Sequence, residues 1–208
     1  ITAENVSYAI APRINAAGRM GKAELAAELF LTKDPVRAQA LAAELCEQNK
    51  LRQSEENKIL EQTLTRLRRE YNPLEDKIIV LAGEGWHQGV IGIVCSRLCD
   101  RYGCPVVLIS IDSDGVGKGS GRSIGSFNLF EALTSCEDLF ERYGGHALAA
   151  GLTVQADRIE ELRTRLRKYA ETHVTMAELV PQLHIDCMVQ PEWLTQENIE
   201  SLSVLEPY

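Results

Sequence analysis

The chain has 208 residues, a formal charge of −8 and 45% hydrophobic residues. That length allows one or two domains with a sizeable core. The acidic balance excludes a uniformly basic nucleic-acid-binding surface, though a local basic groove remains compatible with it.

Six cysteines occur without a Cys-x-x-Cys pair, which argues against zinc and for buried, reduced thiols in a cytoplasmic protein. No signal-peptide pattern or apolar run of membrane-spanning length is read. The chain starts at Ile1 and stops at Leu-Glu-Pro-Tyr (205–208) without a closing element. An internal fragment of a larger protein is therefore expected.

Ala-Pro-Arg-Ile-Asn-Ala-Ala-Gly-Arg-Met-Gly (11–21) carries a proline and two glycines and predicts a loop. Its polar members Arg13, Asn15 and Arg19 either hold an anion or pin the loop through local salt bridges. A short helix follows at 23–31, with Leu25, Leu29 and Phe30 as its apolar side. Asp34 and Pro35 are a good N-cap and first helical residue. Leu41, Leu45, Ile59, Leu60, Leu64 and Leu67 then recur at helical spacing. They predict one long connecting helix, bounded as 34–71, whose very polar centre (47–58) is a solvated stretch where a bend is allowed. Asn72 and Pro73 end it.

Residues 77–82 read as a buried strand, 83–89 as a glycine-rich turn and 90–102 as a helix. A helix opening after such a turn is suited to hold an anion. His87 lies between the turn's glycines, which favours a functional role over simple packing. Val90, Ile93, Val94 and Leu98 form the helix's apolar side. Arg97 joins that side and needs a partner, either a structural carboxylate or a ligand phosphate.

A second buried strand is expected at 105–111, followed by Gly-Val-Gly-Lys-Gly-Ser-Gly-Arg-Ser (115–123). Glycines that expose backbone N–H groups, with Lys118, Ser120, Arg122 and Ser123 among them, suit phosphate oxygens. An empty glycine-rich hairpin fits the same residues. Neither a Gly-x-Gly-x-x-Gly fingerprint nor a Walker loop is present there. A helix at 127–136 leads to Glu-Arg-Tyr-Gly-Gly-His-Ala-Leu-Ala-Ala-Gly (141–151). Here Gly144 and Gly145 allow close approach of the backbone. His146 either donates to a phosphate or leaving oxygen or fixes a turn. A short strand at 152–155 and an amphipathic helix at 157–170 follow. From Pro181 a new unit is expected, strand-like at 183–189 and helical at 191–205.

Four of these motifs, Ala-Pro-Arg-Ile-Asn-Ala-Ala-Gly-Arg-Met (11–20), Gly-Trp-His-Gln-Gly-Val-Ile-Gly-Ile-Val (85–94), Lys-Gly-Ser-Gly-Arg-Ser (118–123) and Tyr-Gly-Gly-His (143–146), stand in one order and spacing. Together they resemble the RecJ family, bacterial single-strand-specific 5′→3′ DNA exonucleases of the DHH phosphoesterase superfamily. The resemblance implies an α/β fold: a mixed β-sheet flanked by helices, preceded by the long connecting helix. It further implies that residues 1–33 are the tail of the DHH catalytic domain, 34–71 the connecting helix, 75–172 the DHH-associated substrate-binding domain and 181–208 the truncated start of an OB-like domain.

The resemblance places Mn2+ or Mg2+ in an Asp-His-His lobe outside this sequence, with none bound here and the fragment alone inactive. It implies single-stranded DNA as partner, DNA-repair proteins as further partners, and no membrane. By motif position Lys118, Ser120, Gly121, Arg122 and Ser123 bind phosphate, with Gly144 and Gly145 beside them. His146 sits at the scissile or terminal phosphate as the one candidate catalytic residue. Arg13, Asn15 and Arg19 face the cleft from the other lobe, and His87 and Arg97 contribute. A phosphodiesterase of short oligonucleotides or cyclic dinucleotides is one alternative. A non-catalytic nucleic-acid-binding module, such as the domain appended to alanyl-tRNA synthetase, is the other.

Overall fold

The computed structural model describes residues 1–72, 75–125, 127–180, 183 and 185–205. Pro73, Pro181, His184 and residues 206–208, on which expectations were placed, lie outside them.

The N-terminal residues are helical. A π-helical stretch, Asn5–Ile10, runs into helix α1, Ala11–Arg19. The expected loop at 11–21 is therefore corrected to a helix over 11–19, closed by a turn at Met20 and Gly21, whose φ is 76°. Pro12 is tolerated because the preceding turn is wide. The Ala11 N–H reaches back to the Val6 carbonyl, which relaxes the ring-to-carbonyl clash that proline causes inside a regular helix. Helix α2, Ala23–Leu31, and the first half of α3, Pro35–Glu70, complete a small bundle around Ala17, Ala26 and Leu45. The Asp34 carboxylate caps α3 by accepting from the Val36 N–H at 2.9 Å.

Five strands form one sheet in the order β1-β2-β3-β5-β4. They are β1 Ile79–Glu84, β2 Val106–Ile111, β3 Val116–Arg122, β4 Phe140–His146 and β5 Ala149–Gln155. Only β1 and β2 are parallel, and α4, Gln88–Tyr102, makes the crossover between them. Strand periodicity then divides the core. Val80, Val107, Ile109, Leu152 and Val154 pack one face of the sheet against α5, Leu129–Thr134, and α6, Ile159–His173. Ile79, Leu81, Val106 and Leu108 turn to the other face, under α4 and the second half of α3.

That second face is covered over β1 and β2 but left open over much of β3, β5 and β4. On it, Lys118, Gly151, Gly144 and His146 are exposed. A Cβ added at Gly144 would meet nothing within 4 Å. The fold thus produces a half-uncovered sheet with α4 as the wall of a step.

Among the described residues of 183–189, the expected strand is not formed. Residues 185–190 have no regular secondary structure, and Leu183, Ile185 and Met188 are 87%, 77% and 89% exposed. Alternating apolar residues need a neighbouring strand to pair with, and no strand among the described residues pairs there. A short helix, α7 Gln196–Ser201, follows.

Candidate nucleic-acid interface

The glycines of 115–123 have a different purpose from the one expected. Strand β3 is central, paired on both edges with β2 and β5, so its N–H groups belong to the ladder and are not offered to a ligand. Gly117, Gly119 and Gly121 point into the packed face. A Cβ at Gly119 would lie 2.7 Å from the Leu152 side chain, and one at Gly121 would lie 2.7 Å from Leu129. They are glycines because the core leaves no room. Gly121 is thereby placed away from the open face.

What β3 presents to that face is its alternate set, Lys118, Ser120 and Arg122. Arg122 donates to its neighbour's carbonyl, Gly121 O, at 2.7 Å and approaches Ser120 Oγ at 3.4 Å. Arg37, Arg97, Arg158 and Arg165 all pair with carboxylates. Among the described residues Lys118 and Arg122 have no such partner, so both keep their donors for a ligand.

Two adjoining clefts of about 620 and 540 Å³ bring the remaining groups together. Ser120, Arg19 and Gln88 line both, Arg122 and Asn15 line one, and Lys118 and His87 the other. The seam between α1 and α4 depends on Gly89: a Cβ there would come within 2.2 Å of the Arg19 carbonyl oxygen. Arg19 in turn donates to Gly89 O at 3.3 Å. His87 caps α4, its Nδ1 accepting from the Gly89 N–H at 3.1 Å, which leaves Nε2 as a donor. The positive end of the α4 dipole therefore opens beside Lys118 and Ser120.

Other expected members lie elsewhere. Arg13 donates to Ala9 O and to Cys46 Sγ at 3.2 Å and faces α3. Arg97 bonds Glu56 of α3 at 2.8 Å, so its partner is the structural carboxylate. Ser123 donates to Phe127 O at 2.7 Å and stays within its loop. Gly145 is exposed, but its φ of 147° would aim a Cβ at the backbone of β5, 2.3 Å from Ala149 O. Gly144 and His146 are on the open face, two strands from β3. His146 Nδ1 accepts from the Leu148 N–H at 3.3 Å, which also leaves its Nε2 free to donate.

Gln88 was not singled out from the sequence. It is the first residue of α4, exposed, lines both clefts, and its side chain makes no hydrogen bond among the described residues. Its place directly after a capping histidine, between two glycines, was the available signal.

Cys95, Cys99, Cys104 and Cys136 are buried free thiols. Burial pushes Cys95 up to about 12, and Cys99 and Cys104 up to about 11. They are packing groups at neutral pH, not nucleophiles. Among the described residues no group of three or more His, Cys, Asp and Glu side chains is placed to hold a metal ion. No helix among them is long and apolar enough to cross a membrane.

The DHHA1 domain family matches residues 75–172. The chain is 38% identical over 206 residues to the single-stranded-DNA-specific exonuclease RecJ of Bacillus subtilis, covering 99% of this chain and 26% of that protein. It superposes on the crystal structure of RecJ in complex with Mg2+ from Thermus thermophilus with a TM-score of 0.86 and 38% identity, covering 100% of this chain and 32% of that one. For the structure of RecJ in complex with Mn2+ from the same organism the TM-score is 0.83, at 38% identity, covering 100% of this chain and 30% of that one. The chain thus spans 26–32% of the length of these relatives. The Mg2+ or Mn2+ of those structures fits no donor set among the described residues.

Proposed function

We propose that this chain belongs to the RecJ family, through a segment that carries a DHHA1 domain, and that it is the strand-binding part of a single-strand-specific 5′→3′ DNA exonuclease of repair and recombination. The observation that carries this reading is the convergence of Ser120 and Arg122 of β3 with Asn15 and Arg19 of α1 at the opening of α4. The helix N-terminus, two arginines without carboxylate partners and a hydroxyl form a compact anion site in a chain whose overall charge is −8.

In this reading Arg122 and Ser120 hold a phosphate of the strand, with the 5′ end as the natural occupant. Arg19 and Asn15 close over it from α1. Lys118 and the His87 Nε2–H take the neighbouring backbone. The uncovered sheet at Gly144 and Gly151 is the floor, and His146 meets the strand at its far side. Hydrolysis belongs to the longer protein, with Mn2+ or Mg2+ held by residues outside those described. Residues 1–33 are the edge of its catalytic domain, 34–71 the helix joining the lobes and 181–208 the start of an OB-like domain. The enzyme acts in the cytoplasm, alongside other DNA-repair proteins.

The test compares 5′-phosphorylated with 5′-hydroxyl single strands binding to this chain and to its Arg122→Ala variant. A phosphate preference that depends on Arg122 supports the site. Equal affinity for both strands contradicts it.

A further inference from the structure

Helix α4 contains a glycine that its own stability does not favour. Gly92 lies inside the Gln88–Tyr102 helix, fully within its hydrogen-bonded length. Alanine in its place favours the helical state by a factor of about five in an isolated helix. Gly92 is buried on the face turned to β3, where the two phosphate-directed side chains rest on its bare Cα. A Cβ there would lie 3.0 Å from Ser120 Oγ and 3.4 Å from Arg122 Nη2. One turn on, the Cys95 thiol donates to the Ser120 carbonyl at 2.9 Å, so the strand cannot back away from the helix without losing that bond.

We infer that Gly92 is a positioning residue: the missing Cβ sets how deeply Ser120 and Arg122 are seated against α4, and so where their donors meet a phosphate. This rests on the phosphate site described above. Neither side chain is held by a carboxylate that would restore its geometry if it were displaced. Among the described residues Arg122 is tied only to Gly121 O and Ser120 Oγ. A methyl group on residue 92 therefore presses on Ser120 Oγ, which must give by a few tenths of an ångström, and acts on Arg122, in ordinary contact with the added group at 3.4 Å, through that hydroxyl. A purely structural glycine has the opposite signature, because its replacement by alanine strains packing and leaves ligand discrimination alone.

The experiment uses the 208-residue chain, with 3′-labelled single strands carrying a 5′-phosphate or a 5′-hydroxyl. Gly92→Ala lowers affinity for the phosphorylated strand about tenfold, leaves the hydroxyl strand nearly unchanged, and leaves the melting temperature equal or raised. In a cycle with Ser120→Ala the two losses are less than additive, because removing the hydroxyl removes the nearest contact. If the methyl group prevents folding, the Gly92→Ala/Ser120→Ala pair restores it, and failure to do so contradicts the contact. A Gly92→Ala chain that keeps the full phosphate preference, while Arg122→Ala abolishes it, overturns the inference and leaves the site standing. Preference that survives in Arg122→Ala overturns the site itself, and Gly92's role with it.

Discussion

Arg122 and His146 stand in one row of the sheet, each in register with Ala149 of the strand between them. Directly opposed residues share a face, so both side chains rise from the open side. Two inter-strand spacings put their backbones about 9.5 Å apart. A strand whose terminal phosphate is held at Arg122 must cross β5 before it reaches His146.

That separation makes the effect of His146 depend on ligand length. His146→Ala weakens binding of a 5′-phosphorylated trinucleotide by about 1 kcal/mol, and that of a 5′-mononucleotide by much less. Competition titrations with the two ligands check this. Equal losses for both would place His146 at the terminal phosphate itself.

The glycines of β3 are predicted to be stability residues. Gly119→Ala puts a Cβ 2.7 Å from both Cγ and Cδ1 of Leu152 and 3.3 Å from Ile109. Overpacking of this kind costs about 1–3 kcal/mol, which urea denaturation reads as a lower midpoint at unchanged slope. A neutral Gly119→Ala would mean that the sheet and α6 have slack that the packed face does not show.

Arg97 is predicted to leave the DNA site untouched. Its guanidinium is about half exposed and pairs with Glu56, whose side chain is 9% exposed and also pairs with Arg52. With that exposure, and with Arg52 remaining, Arg97→Ala costs less than about 1 kcal/mol of stability. Strand affinity, measured by anisotropy, stays unchanged. A selective loss of affinity would restore Arg97 as a phosphate contact.

Alkali is predicted to destabilise the fold through its buried thiols. In the native chain Cys95 ionises only near 12, and Cys99 and Cys104 near 11, against an ordinary value of 9.0. Their contribution is fully present below pH 9. Above it the unfolded chain releases protons that the folded chain retains, so stability falls until pH passes 11–12. At pH 8 a disulfide reagent modifies the exposed Cys187 at once, while Cys95, Cys99, Cys104 and Cys136 react only as fast as the fold opens. Melting temperatures between pH 7 and 10.5 and a timed thiol titration check both statements.

The long helix was legible because Asp34, Pro35 and apolar residues at helical spacing on either side of its polar centre agree about it. The strands at 79–84 and 106–111 were legible because buried parallel strands are runs of Ile, Val and Leu. Strand β4, Phe140–His146, was not, because Tyr-Gly-Gly-His lacks strand propensity and is held only by pairing with β5. At 11–21 proline and glycine were read as breakers, and the π-helical turn that accommodates Pro12 leaves no mark in composition. For the site, Ser120, Arg122, Lys118, Asn15, Arg19 and His87 were readable as polar residues among glycines. Two things were not: which alternate set of β3 faces the open side of the sheet, and that Arg13 and Arg97 turn to α3. Both depend on what packs against each face.

The most direct test of the central claim is the affinity of the chain for one single strand with and without its 5′-phosphate, measured across a salt series for wild type and Arg122→Ala. The phosphorylated strand should bind more tightly, and its binding should weaken steadily with salt. Arg122→Ala should remove about 1.5–3 kcal/mol from that binding alone. Identical affinities for the two strands, or an Arg122→Ala chain that binds as wild type does, would contradict it.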